Sequence, residues 1–211
     1  MDLGEIRKDF GVGELMEDSL IEDPMALFEL WLNQAIKTDP DYATAMNIST
    51  VGKDGMPSSR IVLLKGYDHT GFKFFTSYSS KKGQEISGNS LASILFFWKE
   101  SERQIRIEGT IEKISLQKSI QYYYERPRES QLSALISPQS EIIPNREFLE
   151  KSWDAAKKKY IDEKIPFPED WGGYVLKPMR MEFWQGRAGR LHDRILFKEL
   201  NGHWNWYRLA P

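Results

Sequence analysis

The feature that most constrains this 211-residue chain is a succession of short apolar runs separated by turn-forming residues. The runs at 43–50, 60–64, 72–76 and 91–98 are bounded by Gly, Asp, Ser or Pro, a pattern typical of β-strands. The segment 103–114 begins with strict alternation of apolar and polar residues, which is the period of a half-buried strand. Many short strands with tight turns favour a sheet that is closed, or nearly closed, into a barrel.

The C-terminal part of the chain continues this pattern. Strands are predicted at 179–184, 194–200 and 203–209, and Asn201-Gly202 between the last two is the strongest short hairpin signal. Strands and helices do not alternate regularly, so a doubly wound parallel sheet is not supported. The sequence predicts a mainly β fold.

Three helices are predicted around these strands. The first begins with Asp23 as N-cap and Pro24 in its first turn, and Ser115 and Asn145 cap the others. The second is expected to stop near Pro127, because proline disrupts a helix interior. The apolar stripe of the first helix comprises Leu27, Phe28, Trp31, Leu32, Ala35 and Ile36. The residues expected to face inward from the third are Phe148, Leu149, Trp153, Ala156 and Tyr160.

Domain organisation follows from where this patterning begins. Residues 1–20 are polar and weakly patterned around Gly11 and Gly13, so they predict a mobile N-terminal arm and possible lid. Residues 21–211 predict one domain, mainly β with peripheral α-helices.

Composition excludes several classes of function. The net charge of −2 argues against a general nucleic-acid binder. Cysteine is absent and the three histidines are scattered, so no metal site is predicted. No apolar run approaches the roughly 20 residues of a membrane span, and the polar start lacks the apolar stretch of a secretory signal, so none is expected. A cytoplasmic location without membrane association is expected.

Common catalytic signatures are missing, but cations cluster locally. No Gly-x-Gly-x-x-Gly, phosphate-loop or His-Glu-x-x-His pattern is present. Arg60 and Lys65 flank an apolar strand, and the segment 75–82 places hydroxyls and paired lysines where a strand turns into a helix. Helix N-terminal N–H groups with adjacent lysines suit a phosphate. The alternative for the segment 75–82, taken singly, is a capped helix with surface lysines.

Five motifs occur together in an order that is highly specific. They are RIVLLK at 60–65, ERQIRIEG at 102–109, RPRESQ at 126–131, EFWQG at 182–186 and RLHDR at 190–194. In this order and spacing the chain resembles the pyridoxamine 5′-phosphate oxidase family along nearly its whole length. The resemblance implies a split β-barrel that binds FMN and forms a homodimer, with two flavin sites at the subunit interface.

The resemblance also implies site residues by motif position. Those expected to bind the flavin are Arg60, Ile61, Val62, Leu63, Leu64, Lys65, Phe75, Thr76, Lys81, Lys82, Gln104, Gln139, Ser140, Trp184 and Arg194. Those expected to bind substrate are Lys65, Tyr122, Arg126, Ser130, Arg190, Leu191 and His192, with Arg7 and Phe10 from the arm. Arg190 and His192 are the expected catalytic pair, placed by the pyridine ring and its reacting substituent.

The implied reaction converts pyridoxamine 5′-phosphate or pyridoxine 5′-phosphate into pyridoxal 5′-phosphate. A hydride leaves the carbon that bears the amine or hydroxyl and passes to FMN, and O2 reoxidises the flavin with release of H2O2. With the amine, the resulting imine hydrolyses to the aldehyde and ammonia. The protein supplies orientation and electrostatics to a cofactor that supplies the redox chemistry.

Two geometric questions stay open in the sequence. Arg60 and Lys65 fall on opposite faces of a regular strand, so flavin and substrate lie on different sides of it or the strand is bulged. The spacing of Tyr122, Arg126 and Ser130 puts them on one helical face only if Pro127 does not break the helix.

Two other functions fit parts of the pattern. A split-barrel flavin reductase would keep the flavin residues without Tyr122, Arg126 and Ser130. A non-catalytic protein that binds flavin or pyridoxal phosphate would have no need of Arg190 and His192 together. Because every group is present, the sequence favours the oxidase.

Overall fold

The computed structural model describes residues 1, 3–5 and 8–211. Within these residues it contains nine strands and five α-helices. The strands are β1 (Ala45–Val51), β2 (Pro57–Leu63), β3 (Gly66–Asp68), β4 (Gly71–Ser77), β5 (Leu91–Trp98), β6 (Arg103–Lys113), β7 (Trp171–Gln185), β8 (Asp193–Leu200) and β9 (His203–Arg208). The helices are α1 (Pro24–Thr38), α2 (Lys81–Gly88), α3 (Leu116–Glu125), α4 (Arg128–Ile136) and α5 (Arg146–Lys159). The mainly β prediction with peripheral helices is confirmed.

All strands belong to one antiparallel sheet in the order β2-β1-β5-β6-β7-β4-β3, and β8 and β9 extend it from β7. Strand β7 pairs with β6 along most of its length, with β4 through its first half and with β8 through its second. The register shifts where Gly109 of β6 faces Pro178, and Met179 is the extra residue of the bulge. Because a bulge bends a strand and increases its twist, the sheet curls at this point.

The C-terminal hairpin forms as the sequence predicts. Strands β8 and β9 pair antiparallel up to Leu200 and His203. Asn201 and Gly202 both have positive φ, 54° and 81°, as the tight turn between two twisted strands requires.

The start of β7 differs from its prediction. The strand begins at Trp171, well before the predicted start at 179. Gly172 and Gly173 weaken the strand signal because glycine has low strand propensity. Both are accommodated because β4 pairs with this half of β7.

Strand β2 is an edge strand, which corrects its interpretation as a buried one. Ile61 is 64 % exposed and Leu63 is also exposed, whereas Leu64 turns into the core. Apolar composition alone does not separate a buried strand from an apolar edge, and this edge borders the site described below.

The main core lies inside the curled sheet and beneath α1. Phe28 of α1 packs edge-on against Phe72 and Phe96 of the sheet, with ring centroids 4.8 and 5.4 Å apart. A second core lies under α3, α4 and α5 and comprises Tyr123, Leu132, Ala156, Ile165 and Trp171. The second core positions the helices that border the site.

Helix boundaries follow the predicted caps. Asp23 accepts a hydrogen bond from the Met25 amide, and Ser115 and Asn145 cap α3 and α5 in the same way. Two predicted core residues are exposed: Ile36 lies at the edge of the α1 stripe, and Phe148 lies in the first turn of α5. Peripheral helices bury only a narrow face, so positions at its margins remain in solvent.

The described part of the arm lies against the sheet. Leu15 is buried, and its amide donates to Asp193 Oδ2 at 3.0 Å. Whether the arm moves as a lid stays a prediction, and Arg7 lies outside the described residues. No helix in the described part of the chain is long and apolar enough to span a membrane.

Candidate functional site

A cavity of about 540 Å³ opens beside the exposed edge of β2. Strand β4, the start of α2, and helices α3 and α4 form its other walls. Its lining contains twelve of the residues expected to bind flavin or substrate. They are Arg60, Ile61, Val62, Leu63, Lys65, Phe75, Thr76, Lys82, Tyr122, Arg126, Ser130 and Gln139.

One end of the cavity is a cationic pocket at the beginning of α2. Lys82 is buried, and its ammonium donates to Thr76 Oγ1 at 3.0 Å and to Gln139 Oε1 at 3.1 Å. Ser80 caps α2 through the Gly83 amide. Helix N–H groups and a buried ammonium favour an anion.

A carboxylate fixes the second cation of this pocket. Glu85 of α2 accepts hydrogen bonds from Thr50 Oγ1 at 2.5 Å and Ser58 Oγ at 2.7 Å, and Arg60 Nη2 lies 3.3 Å from the same oxygen. These donors lower the pKa of the Glu85 carboxyl although burial opposes the shift. Glu85 therefore stays ionised and orients Arg60.

The charges at this end lower the proton affinity of the lysine. Burial and the nearby Arg60 guanidinium lower the pKa of Lys82 to about 8, and Glu85 offsets part of the shift. A dianionic phosphate would favour the protonated form.

The other end of the cavity holds a guanidinium with unsatisfied hydrogen-bonding capacity. Arg126 Nη1 is buried and has no hydrogen-bond partner among the described residues. Burial lowers the pKa of the guanidinium, which nevertheless remains charged in proteins. A buried donor without a hydrogen-bond partner is costly, so this charged atom favours an anionic ligand.

The helix around Arg126 is broken, as Pro127 allows. Helix α3 ends at Glu125 and α4 begins at Arg128 with Pro127 as its N-cap, so Tyr122 and Ser130 lie on different helices. They line the same cavity because the two helices meet there. The one-helix-face interpretation is wrong, although Tyr122, Arg126 and Ser130 do line one cavity.

An aromatic layer supports this end. The rings of Phe75 and Tyr122 stack with centroids 3.8 Å apart, and the Trp171 ring lies nearly parallel to both. The Arg126 guanidinium lies 4.8 Å from the Trp171 ring centroid, within cation–π range. Sequence reasoning missed Trp171, as it did the lining residues Ser133 and Ser137. Trp171 is the first residue of β7 and precedes Gly172 and Gly173. It could have been found only by recognising that the strand begins there.

Strand geometry answers the question of the two faces. Strand β2 ends at Leu63, Leu64 turns into the core, and the Lys65 amide donates to the Lys73 carbonyl of β4. Arg60 and Lys65 can both line the cavity because Lys65 lies beyond the end of β2, where the alternation of strand faces no longer applies.

Six of the expected flavin residues lie outside this lining, and Leu64, Lys81 and Ser140 are three of them. Leu64 is in the core, Lys81 projects into solvent with its ammonium 3.9 Å from Glu85, and Ser140 is exposed with a positive φ of 74°. Their assignment to the flavin stays a prediction.

The remaining expected residues form a separate C-terminal cluster. The rings of Trp184, His192 and Phe10 contact one another, with centroids 4.7 to 5.5 Å apart. Trp184 pairs with Gln104 on one side and with Arg194 on the other. Arg190 and Leu191 are exposed beside this cluster, and none of these residues lines the cavity.

The C-terminal cluster has a defined histidine tautomer and a fixed arginine. The Arg187 amide donates to His192 Nδ1 at 3.1 Å, so the neutral ring carries its proton on Nε2. Arg194 Nε donates to the buried Glu182 carboxylate at 2.9 Å. His192 thus presents a donor away from the backbone.

The cavity fits a phosphorylated ligand. It has two cationic ends, apolar strand residues between them, and a guanidinium whose buried Nη1 lacks a hydrogen-bond partner among the described residues. An elongated group with a phosphate at one end, such as FMN, matches the Arg60–Lys82 end and leaves Arg126 for a second anion. Among the described residues no group of His, Cys, Asp or Glu is arranged to hold a metal ion.

Comparison with known proteins identifies the family. Residues 32–160 match the family model described as pyridoxamine 5′-phosphate oxidase, and residues 171–211 match the pyridoxine 5′-phosphate oxidase C-terminal dimerisation region. A pyridoxine/pyridoxamine 5′-phosphate oxidase of Christiangramia forsetii is 48% identical over 211 residues, covering 100% of this chain and 99% of the relative. One of Leptospira biflexa is 49% identical over 210 residues, with the same coverage.

Solved structures agree on the fold. The structure of PhzG from Burkholderia lata, in complex with tetrahydrophenazine-1-carboxylic acid, matches with a TM-score of 0.87 at 28% identity, covering 93% of this chain and 98% of that one. A pyridoxamine 5′-phosphate oxidase-related, FMN-binding protein from Nostoc punctiforme matches with a TM-score of 0.73 at 17% identity, covering 91% and 100%. The expected split barrel is confirmed.

The comparisons also bear on chemistry and assembly. Full-length relatives close to half identical in sequence are named as oxidases, which makes this chain an oxidoreductase. The matched dimerisation region supports a homodimer, and it contains the whole run from Trp184 to Arg194. The family match also supports flavin binding. On its sequence, its fold and its cavity, the chain belongs to the pyridoxamine 5′-phosphate oxidase family.

Proposed function

We propose that this enzyme oxidises pyridoxamine 5′-phosphate and pyridoxine 5′-phosphate to pyridoxal 5′-phosphate, with FMN as cofactor and O2 as acceptor. H2O2 is released, together with ammonia from the amine. The observation that carries the proposal is the unpaired, buried Arg126 Nη1 in a cavity whose other end is already a cationic pocket. One cavity with two anion sites suits a phosphorylated cofactor and a phosphorylated substrate together. We place this activity in the cytoplasm, in vitamin B6 metabolism.

The residues at the start of α2 would hold the cofactor phosphate. Arg60 and Lys82 supply two cations, and Thr76 and Gln139 complete the hydrogen-bonding set. The strand residues from Ile61 to Leu63 would lie along the ring system. When bound, FMN supplies the two-electron acceptor and the route to O2.

The residues at the helical end would hold the substrate phosphate. Arg126 offers a free donor, while Lys65, Tyr122 and Ser130 offer an ammonium and two hydroxyls around the same space. In the part of the chain that the structure describes, no carboxylate lines this cavity, so none there competes for these donors. Trp171 holds the Arg126 guanidinium by its ring face.

The C-terminal cluster would act on the reacting end of the substrate. His192 presents Nε2–H, and the exposed Arg190 adds a cation beside it. Both can orient and polarise a polar ring or its substituent by hydrogen bonding. Because this cluster is separate from the cavity and lies in the dimerisation region, we propose that it completes the cavity of the second protomer.

The two alternatives lack support from this geometry. A flavin reductase has no use for a second anion site around Arg126, and a carrier has no use for the histidine and arginine of the C-terminal cluster. The relatives that match the full chain are named as oxidases. Turnover with O2 separates the oxidase from both.

The proposal is tested by anaerobic mixing of FMN-loaded protein with pyridoxamine 5′-phosphate. We expect the flavin absorbance to bleach and to return on admission of air, with pyridoxal 5′-phosphate and H2O2 formed. Pyridoxamine without its phosphate is the matched control, and it should bleach the flavin far more slowly because Arg126 is left unpaired. A protein that does not bind FMN, or whose bound flavin never bleaches, rejects the proposal.

FMN affinity is expected to fall as the pH rises through about 8. Below this value Lys82 is protonated and attracts the phosphate dianion, whereas above it the neutral amine must take up a proton for FMN to bind well. Titration of the apoprotein by quenching of FMN fluorescence measures the effect. Lys82→Arg is the control, because a guanidinium stays charged over this range. Equal pH profiles for the two proteins would contradict this role of Lys82.

A further inference from the structure

Glu102 is a buried carboxylate outside the proposed ligand cavity. It ends the turn between β5 and β6, is 3 % exposed, and has a positive φ of 53°. A non-glycine residue in this backbone region is uncommon and costs free energy, so surrounding contacts must hold it there. Its own carbonyl accepts a hydrogen bond from the Gly186 amide at 2.8 Å, which ties this turn to the end of β7.

The Glu102 carboxylate binds the backbone of the N-terminal arm. Oε2 accepts hydrogen bonds from the amides of Gly11 at 2.7 Å and Val12 at 3.1 Å, and the Lys8 ammonium lies 3.1 Å from Oε1. Hydrogen bonds to an ionised acceptor are among the stronger ones in proteins. These donors lower the pKa of the Glu102 carboxyl although burial raises it, so it stays ionised.

This attachment places Phe10 on the C-terminal cluster. The Phe10 ring meets Trp184 edge-on at 5.4 Å and His192 at 5.5 Å between centroids. Gly186 makes room for it, because a Cβ there would lie 2.8 Å from the Phe10 side chain. Phe10 therefore covers the rings that the proposed function places beside the substrate.

The next part of the arm is held independently. The Leu15 amide donates to Asp193, its carbonyl accepts from Arg208 Nη2 at 2.8 Å, and Arg187 pairs with Glu14 at 2.8 Å. Loss of the Glu102 carboxylate would release residues 8–12 and leave the chain anchored from Glu14 onward.

We propose that Glu102 is a positioning residue, which holds Phe10 against Trp184 and His192 and thereby sets the affinity for the substrate ring. The inference rests on the proposed function for its substrate, and on the described contacts for the attachment itself. Glu102 touches neither proposed ligand site, so it acts through Phe10. Release of the arm exposes the ring side of the site to water and weakens substrate binding.

The attachment is tested by amide hydrogen exchange of the full-length, FMN-loaded protein. Glu102→Gly removes the carboxylate without backbone strain, because glycine accepts a positive φ. We expect the protection factors of the Gly11 and Val12 amides to fall at least about tenfold, while the protection factor of the Leu15 amide is unchanged. Glu102→Gln, which keeps an uncharged acceptor, should fall between this variant and the original protein. Glu100→Gln is the control in the same turn, where Glu100 is exposed and pairs with Lys99.

Kinetics give the second measurement. Glu102→Gly is expected to raise KM for pyridoxamine 5′-phosphate roughly tenfold and to change kcat much less. The lost contact would stabilise the bound substrate and the transition state equally. Unchanged exchange at Gly11 and Val12 in a folded Glu102→Gly protein overturns the attachment. Faster exchange with unchanged KM overturns the link to substrate affinity. Failure of the proposed function is distinguishable, because the unmutated protein would then show no turnover while the exchange experiment still reports on Glu102.

Discussion

Arg126→Ala is expected to lower kcat/KM for pyridoxamine 5′-phosphate about 30- to 1,000-fold while FMN stays bound. The unpaired Arg126 Nη1 is a buried donor in the cavity, and losing a charge-assisted contact to a partly buried phosphate costs about 2–4 kcal/mol. Most of the effect should appear in KM, because the phosphate is bound alike before and during the reaction. Steady-state kinetics beside FMN titration measure both quantities.

Two variants control this experiment. Arg128→Ala removes a neighbouring exposed guanidinium, which donates to the Glu163 carbonyl outside the cavity, and it should leave kcat/KM nearly unchanged. Arg60→Ala should instead weaken FMN retention, with turnover recovering in excess FMN. If Arg126→Ala releases FMN while Arg60→Ala raises only KM, the two anion sites are exchanged and the assignment is wrong.

Much of the fold was predictable because local chemistry and long-range pairing agree. Strand β5 was predicted with the bounds that it has, and Asn201-Gly202 formed the expected turn. The start of β7 was missed, since Gly172 and Gly173 carry no strand signal of their own and gain their conformation from pairing with β4. The sequence also did not show which strands lie at the edge of the sheet and which at its centre, because strand order is a property of tertiary structure.

The candidate site was predictable in its residue types and less so in its assembly. The cations at Arg60, Lys65 and Arg126 were found by motif, and the structure brings them to one cavity. Trp171 escaped notice, because its contact with Arg126 depends on the packing of β7 beneath α3. His192 is absent from the lining of the cavity, and this separation could not be predicted either, because it depends on how the strands are ordered in the sheet.

This separation leads to the second large effect, which concerns a mixed dimer of two defective subunits. Arg126 lines the cavity, whereas Arg190 belongs to the C-terminal cluster within the dimerisation region. In a symmetric dimer with shared sites, pairing an Arg126→Ala subunit with an Arg190→Ala subunit puts both substitutions in one site and neither in the other. The heterodimer should then have about half the activity of the unmutated dimer, although each mutant homodimer keeps only a small fraction of that activity.

Coexpression of the two subunits with different affinity tags gives the heterodimer for this measurement. The matched control pairs Arg126→Ala with Lys65→Ala, since both residues line the same cavity and every site of that heterodimer keeps one defect. Its activity should stay low, which shows that subunit mixing alone restores nothing. If Arg190 instead served the cavity of its own chain, the first heterodimer would be as inactive as the control. Restored activity in the first pair alone therefore requires that each site is built from both subunits, since no arrangement within one chain frees a site of both substitutions.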